Sequence, residues 1–134
     1  EVVLAAVRQY GLALEHASLA LKSDKQVLLA AVAQDGLALD CASEALREDK
    51  EVVLAAALQN GWSLQFSSKL LRTDREVVMA AVERNGQALQ HASEELRDSR
   101  EVVLAAVNED GRALSMASSR LQADKGVFVC TLPL

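Results

Sequence analysis

The chain is expected to be all-α: a short α-solenoid of five two-helix, 25-residue repeats closed by a C-terminal half-repeat. Three observations carry this. A motif reading roughly E-V-V-L-A-A-V-x-x-N-G-x-A-L-x-x-A-S-x-x-L-R-x-D-K begins at Glu1, Gln26, Glu51, Glu76 and Glu101 without insertion or deletion, and a fixed period of this size marks stacked supersecondary units. Glycine recurs at one point of the motif, as Gly11, Gly36, Gly61, Gly86 and Gly111, which breaks what would otherwise run as one long helical rod. Finally, the chain is 51% hydrophobic but only 3% aromatic, so its core must be Ala, Val and Leu, small enough for helices to approach closely. One domain, 1–134, thus divides into repeats 1–25, 26–50, 51–75, 76–100 and 101–125 and a degenerate capping half-repeat, 126–134.

The first half of each repeat reads as a helix with marked ends. Asp24, Asp49, Asp74 and Asp124, with Ser99 in the fourth case, stand where a side-chain oxygen caps free N–H groups. Thr73 with Glu76, or Ser23 with Gln26, offers a capping box instead and moves the start by one residue. At the other end come Asp35-Gly36, Asn60-Gly61, Asn85-Gly86 and Asp110-Gly111. A glycine there suits a left-handed C′ residue, where a Cβ costs about 1 kcal/mol. Between these ends, residues such as Val52, Val53, Leu54, Ala55, Ala56 and Ala57 leave almost no polar face. A helix apolar nearly all round is buried on several sides, so this is the inner helix.

The second half is shorter. Leu39, Ala42, Ser43 and Leu46 fall at i, i+3, i+4 and i+7, which is one helical face. Yet Ser18, Ser43, Ser68, Ser93 and Ser118 recur at one position, and Ser93-Glu94-Glu95-Leu96 resembles an N-cap with an acidic first turn. Two readings stand: one helix of about ten residues, which the face pattern favours, or a shorter helix broken at the serine into a further turn. Val127–Leu132 repeats the inner-helix pattern before Pro133 and is expected to cover one end of the stack. Glu1-Val2-Val3-Leu4 opens a full repeat with no cover, so the chain is expected to extend upstream or to meet a partner there.

A net charge of −5 and a pI near 5.0 argue against nucleic acid, which needs clustered Lys and Arg. The longest apolar runs, such as Val27–Ala33, fall far short of the roughly 20 residues that span a bilayer. Cys41 and Cys130 occupy different repeat positions and form no C-x-x-C pair.

The motif resembles a tandem-repeat family catalogued as a domain of unknown function and found widely in protists, unicellular algae and some bacteria. Val52–Val53, Ala55–Ala56, Asn60–Gly61, Leu64, Ser68 and Leu71 fall in register with it. Ala57, Ser63, Ser67 and Tyr10 depart from its usual Val, Ala, Ala and Asn. More distantly it is similar to leucine-rich variant repeats, where α and 3₁₀ helices alternate. The resemblance implies helical repeats and carries no catalytic residues with it.

Comparison among the repeats separates scaffold from surface. Position 12 holds Leu12, Leu37, Trp62, Gln87 and Arg112 in turn; position 16 holds His16, Cys41, Phe66, His91 and Met116; position 20 holds Ala20, Ala45, Leu70, Glu95 and Arg120. Spaced by four, these form one stripe on a continuous helix, apolar in the first three repeats and polar in the last two. The candidate protein-binding residues are therefore Trp62, Phe66, Leu70, Leu37 and Leu12, joined by Leu58. The competing reading is a locally different core in the third repeat, with Ser63 and Ser67 making room for the rings. His16, Cys41, His91 and Met116 supply too few neighbouring ligands for a metal, and the serine ladder lacks His or Asp at fixed offsets for nucleophilic catalysis. No cofactor, metal or catalytic residue is expected.

The function read from this is a non-enzymatic helical-repeat scaffold for protein–protein interaction, as a subunit or fragment of a larger assembly. Its protein partners are expected at the uncapped N-terminal repeat and at the Trp62/Phe66 patch, with no nucleic acid and no transmembrane segment. Two alternatives accompany it. One is a peripheral accessory subunit of a plastid (photosynthetic) membrane complex, implied by the algal distribution of the resembling family. The other is the targeting or regulatory repeat region of a longer enzyme whose catalytic domain lies outside this chain. An intracellular setting is expected, with an organelle such as the plastid as its narrower form.

Overall fold

A computed structural model of the chain describes residues 24–124, Gly126 and Val127; the first repeat up to residue 23, including Leu12 and the expected open end, and the cap beyond Val127 lie outside the described residues. Within them the fold is a helical solenoid with no strand. Ten-residue α-helices span Lys25–Gln34, Lys50–Gln59, Arg75–Arg84 and Arg100–Glu109 and stack on one another in order. Each is followed by a six-residue 3₁₀ segment: Gly36–Cys41, Gly61–Phe66, Gly86–His91 and Gly111–Met116. A last short turn completes the unit, α-helical at Glu44–Arg47, Glu94–Arg97 and Ser119–Gln122 but 3₁₀ at Leu71–Thr73.

The long helices start as expected. Asp24, Asp49 and Asp74 each accept hydrogen bonds from the amides two and three residues on, at 2.9–3.0 and 3.3–3.4 Å. These bonds satisfy two of the donors that a helix start leaves open. Thr73 bonds the Leu70 carbonyl instead of capping, and Ser99 makes no side-chain cap bond. Four positions of each long helix are buried, for example Val52, Val53, Ala56 and Ala57. The face carrying Leu29, Ala30, Leu54, Ala55, Met79, Ala80, Leu104 and Ala105 is only half-buried. The long helix is thus sandwiched by its neighbours and keeps one side open.

The glycines work differently from a left-handed cap: no residue with positive φ occurs among the described residues. Their role is close approach. A Cβ built on Gly36 would lie 2.5 Å from the Ala56 carbonyl oxygen and 3.1 Å from Asn60. At Gly61 and Gly86 the carbonyls of Ala81 and Ala106 come closer still. Each of these glycines opens its 3₁₀ segment against the C-terminal end of the next repeat's long helix. Its amide donates across the same joint, Gly36 to Gln59 (2.6 Å), Gly61 to Asn85 (2.8 Å) and Gly86 to Glu109. The preceding Asp or Asn is extended, and Asp35, Asn60 and Asp110 accept from the amides of Leu37, Trp62 and Arg112 at 3.0 Å.

The second half is broken at the serine, the alternative that the apolar spacing did not favour. Residues 42, 67, 92 and 117 are extended, and the serine that follows donates its amide to the preceding repeat: Ser68 to Arg47 (3.1 Å), Ser93 to Arg72 (3.0 Å), Ser118 to Arg97 (3.0 Å). A helix continued through the serine would direct that amide to its own turn. Arg47 and Arg72 fold back onto carbonyls at the end of their own 3₁₀ segment, as Gln122 does on Ser115 and Ala117.

A third link runs along the helix starts. Lys25 reaches Asp49 (3.1 Å) and Glu51 (2.6 Å) at the start of the next long helix, Lys50 reaches Asp74 (3.1 Å) and Glu76 (2.8 Å), and Arg75 reaches Glu101 (2.7 Å). Hydrogen bonds that Lys25 donates first to Glu51 and then to Asp49 raise its ammonium above its ordinary value. Burial pushes the Asp49 carboxyl up, but Lys25 and the amides of Val52 and Glu51 together outweigh it and hold the group below its usual value.

Gly61→Ala tests the joint. Backbone φ is ordinary there, so chain entropy alone would favour alanine by about 0.4–1 kcal/mol. The clash with a backbone carbonyl that cannot yield makes a loss of about 1–3 kcal/mol the expected outcome, read from the urea midpoint.

Candidate functional site

The predicted contact residues are placed by the broken second half. Trp62 and Phe66 lie on the 3₁₀ segment Gly61–Phe66, where residues four apart point about 120° away from each other instead of sharing a face. The expected continuous stripe therefore does not form, and the two rings line different clefts. Phe66 packs partly against the core and, with Leu70, lines a cleft of about 520 Å³ between the second and third repeats. Trp62 is half-buried beside the fourth repeat, in a cleft of about 230 Å³ with Asn85, Gly86, Gln87, Glu109, Asp110 and Arg112. Leu37 is half-buried at the equivalent place one repeat earlier. Leu70 is 73% exposed and Leu58, on the long helix, 60% exposed; they are the exposed large hydrophobics among the described residues.

Trp62 and His91 meet in a T-shaped contact, ring centroids 6.3 Å apart and planes at 75°, a geometry in which a positive ring edge faces a negative ring face. Partial burial, and then the nearby Arg72 charge, hold the His91 imidazole below its usual value and so favour the neutral ring. Ser63 and Ser67, which stand where the other repeats carry alanine, are buried. Ser67 donates to the Leu64 carbonyl at 2.8 Å, whereas the Ser63 hydroxyl has no partner. Serine is no smaller than alanine, so neither residue makes room for a ring.

The serine ladder serves local structure. Ser68, Ser93 and Ser118 accept from the amides three residues on, at 3.3–3.4 Å, and Ser118 also donates to Asp98 at 2.5 Å. The Ser118 hydroxyl and then Arg120 hold the Asp98 carboxyl below its ordinary value. Asp110 is held well below the carboxylate range by Arg112 first and Gln87 second. Among the described residues, no three His, Cys, Asp or Glu side chains gather as a metal site, and no helix is long and apolar enough to cross a membrane.

A set of residues outside the predicted patch adds to the site. Lys69, Arg72 and Arg97 line a cleft of about 500 Å³ between the third and fourth repeats, together with His91 and Glu94. The signal in sequence was Lys69 at the position where Glu44 and Glu94 stand, in the one repeat whose formal charge is positive.

Fold and surface together define a tandem helical-repeat protein, in which an interchangeable joint carries a surface that varies from repeat to repeat. The family model described as Domain of unknown function (DUF4116) matches residues 1–47, 24–72, 49–97 and 74–122, each match spanning nearly two repeats, and the chain belongs to this family. No enzyme family is indicated by the match. No curated protein and no solved structure matches the chain.

Two outcomes are expected here. Ser63→Ala removes a buried hydroxyl with no partner and should raise stability by about 1 kcal/mol in urea unfolding. His91 has a lower value folded than unfolded, so its contribution is present above the ordinary imidazole value and is lost as pH falls through the lowered one. Fluorescence of the single tryptophan should therefore titrate below the usual imidazole range, and His91→Gln should abolish that step.

Proposed function

We propose that the chain is a non-enzymatic protein-binding module whose contact surface centres on the third repeat. One observation carries the reading: both exposed large hydrophobics among the described residues, Leu58 and Leu70, belong to the repeat that also holds Trp62 and Phe66. Elsewhere position 8 carries Ala33, Glu83 and Asn108, and position 20 carries Ala45, Glu95 and Arg120. Apolar side chains standing alone on a surface are ordinary, but their concentration in one unit of a repeating scaffold marks a contact site. Ser68, Ser93 and Ser118 support a scaffold over a catalyst, because their hydroxyls hold turns and the Asp98 link.

Magnitudes limit how this surface works. Covering Leu58 and Leu70 contributes about 1–2 kcal/mol each, and association costs about 4–15 kcal/mol. Trp62 and Phe66, half-buried already, add less than free rings would. The apolar surface selects a partner but needs polar contacts beside it for a stable complex.

Pull-down from the native source with the whole chain, followed by mass spectrometry, tests the reading. Leu58→Ser with Leu70→Ser should lose a partner that the unchanged protein retains, at unchanged far-UV circular dichroism and thermal midpoint. A retained partner set would refute the placement of the surface on the third repeat.

A further inference from the structure

We infer that the cleft between the third and fourth repeats, walled by Lys69, Arg72 and Arg97, binds a carboxylate-rich segment of the partner protein. The inference rests on the protein-binding reading above and names the chemistry of the partner. Its starting point is where the cations of this chain find their counter-charges. Among the described residues, Lys25, Lys50, Arg75 and Arg100 pair with carboxylates at the start of the helix that follows, and Arg47, Arg112 and Arg120 pair with Asp40, Asp110 and Asp98. Lys69, Arg72, Arg84 and Arg97 form no ion pair with any described residue. Arg84 stands apart at the end of its long helix, where its Nε donates to the Gln59 carbonyl at 3.4 Å. The other three share one cleft of about 500 Å³.

Their hydrogen-bonding capacity is also open. The Nε atoms of Arg72 and Arg97 are buried and have no partner, and Arg97 makes no side-chain hydrogen bond at all; Arg72 spends one terminal nitrogen on the Gln65 carbonyl. Leaving a charged donor unsatisfied away from water is costly, and a guanidinium presents a fork that matches a carboxylate in two parallel bonds. The cleft holds one carboxylate, Glu94, which pairs with none of the three. Burial and the nearby Arg72 charge disfavour the charged form of His91. Three cations thus face one anion in a protein whose net charge is −5, a local potential opposite in sign to the rest of the molecule.

The neighbouring surface selects a peptide. Lys69 and Arg72 also wall the cleft that contains Phe66 and exposed Leu70, so apolar and cationic surfaces are continuous across one pair of residues. On the far side of that cleft stand Glu44 and Glu48, with Arg47 between them already engaged by Asp40 and the Ala42 carbonyl. An acidic segment is therefore directed toward the fourth repeat, with an apolar side chain against Phe66 and Leu70 and carboxylates toward Arg97. Nucleic acid is disfavoured, since it needs a basic stripe and not one cleft in an acidic surface.

The repeats themselves supply substitutions compatible with the fold. Glutamate stands at the Lys69 position in the flanking repeats, as Glu44 and Glu94, and Gln122 stands at the Arg97 position. The experiment uses the whole chain and three fluorescein-labelled peptides of about ten residues: one of Glu and Gly, one of Glu with two Leu, and one of Gln with two Leu. Binding is read by fluorescence anisotropy at low salt, with thermal unfolding confirming the fold of each variant. Both Glu peptides are expected to bind, with affinity falling at least about tenfold in Lys69→Glu and in Arg97→Gln and changing less than about twofold in Arg84→Glu. Equal losses in Arg84→Glu and Lys69→Glu would show a general charge effect and overturn the assignment to this cleft, as would failure of both Glu peptides to bind. If only the Gln–Leu peptide binds, and Leu70→Ser abolishes it, the acidic partner is wrong while the docking surface stands. If the Glu–Gly peptide binds as tightly as the Glu–Leu peptide and ignores Leu70→Ser, the cleft stands and the apolar docking surface fails.

Discussion

The absence of one side chain per repeat sets the geometry of the whole array. Gly36, Gly61 and Gly86 bring backbone against the carbonyl that ends the next long helix, at a separation no Cβ permits. That carbonyl, from Ala56, Ala81 or Ala106, also receives the amide of the following Asn or Asp at 2.8–2.9 Å. Helix end, interrupting residue and neighbouring 3₁₀ segment therefore meet at one point. Once this spacing is in place, the alanines between adjacent helices can touch, the serine amide reaches the previous repeat, and each Lys or Arg reaches the acids of the next. Larger core residues would push the joint apart, which is why the core is Val, Leu and Ala.

Much of this was legible in the sequence because the physics is local. Asp24, Asp49 and Asp74 cap as short carboxylates do, and the buried set of each long helix follows its apolar pattern. Less legible was the part decided between repeats. A glycine after Asn or Asp looks the same whether it supplies a left-handed turn or a close approach, and the structure uses the second. Leu39 and Ala42 are three apart, a spacing that fits both 3.0 and 3.6 residues per turn, so the 3₁₀ form could not be told from α. The decisive bond, from the serine amide to a carbonyl of the preceding unit, leaves no trace in spacing along the chain. Trp62 and Phe66 were recognisable as exceptional residues, but their separation into two clefts followed from that unread twist. Lys69, Arg72 and Arg97 were harder still, because Arg97 joins the other two only across a repeat boundary.

The third repeat concentrates the departures. It carries the two exposed leucines, the buried serines, Trp62 and Phe66, the positive charge, and, among the described residues, the only last turn that is 3₁₀ where the others are α-helical. Its joint is nevertheless the same as its neighbours': Gly61 abuts Ala81, Ser68 bonds Arg47 and Lys50 reaches Asp74. Most of its variation falls on side chains outside the joint, and the two buried changes, Ser63 and Ser67, are close to alanine in size. Such a division lets one unit acquire a chemical identity without disturbing the packing on either side.

The forward-reaching cations have an evolutionary corollary. Lys25, Lys50 and Arg75 each find acids at the same two places around the start of the next long helix, or at one of them where Ser99 replaces Asp. Because the described seams share this kind of grip, in-frame duplication or excision of a whole unit rejoins complementary ends, whereas a fragmentary gain or loss leaves them mismatched. The number of units is accordingly free to drift by unequal crossing-over, while the phase of the motif is not.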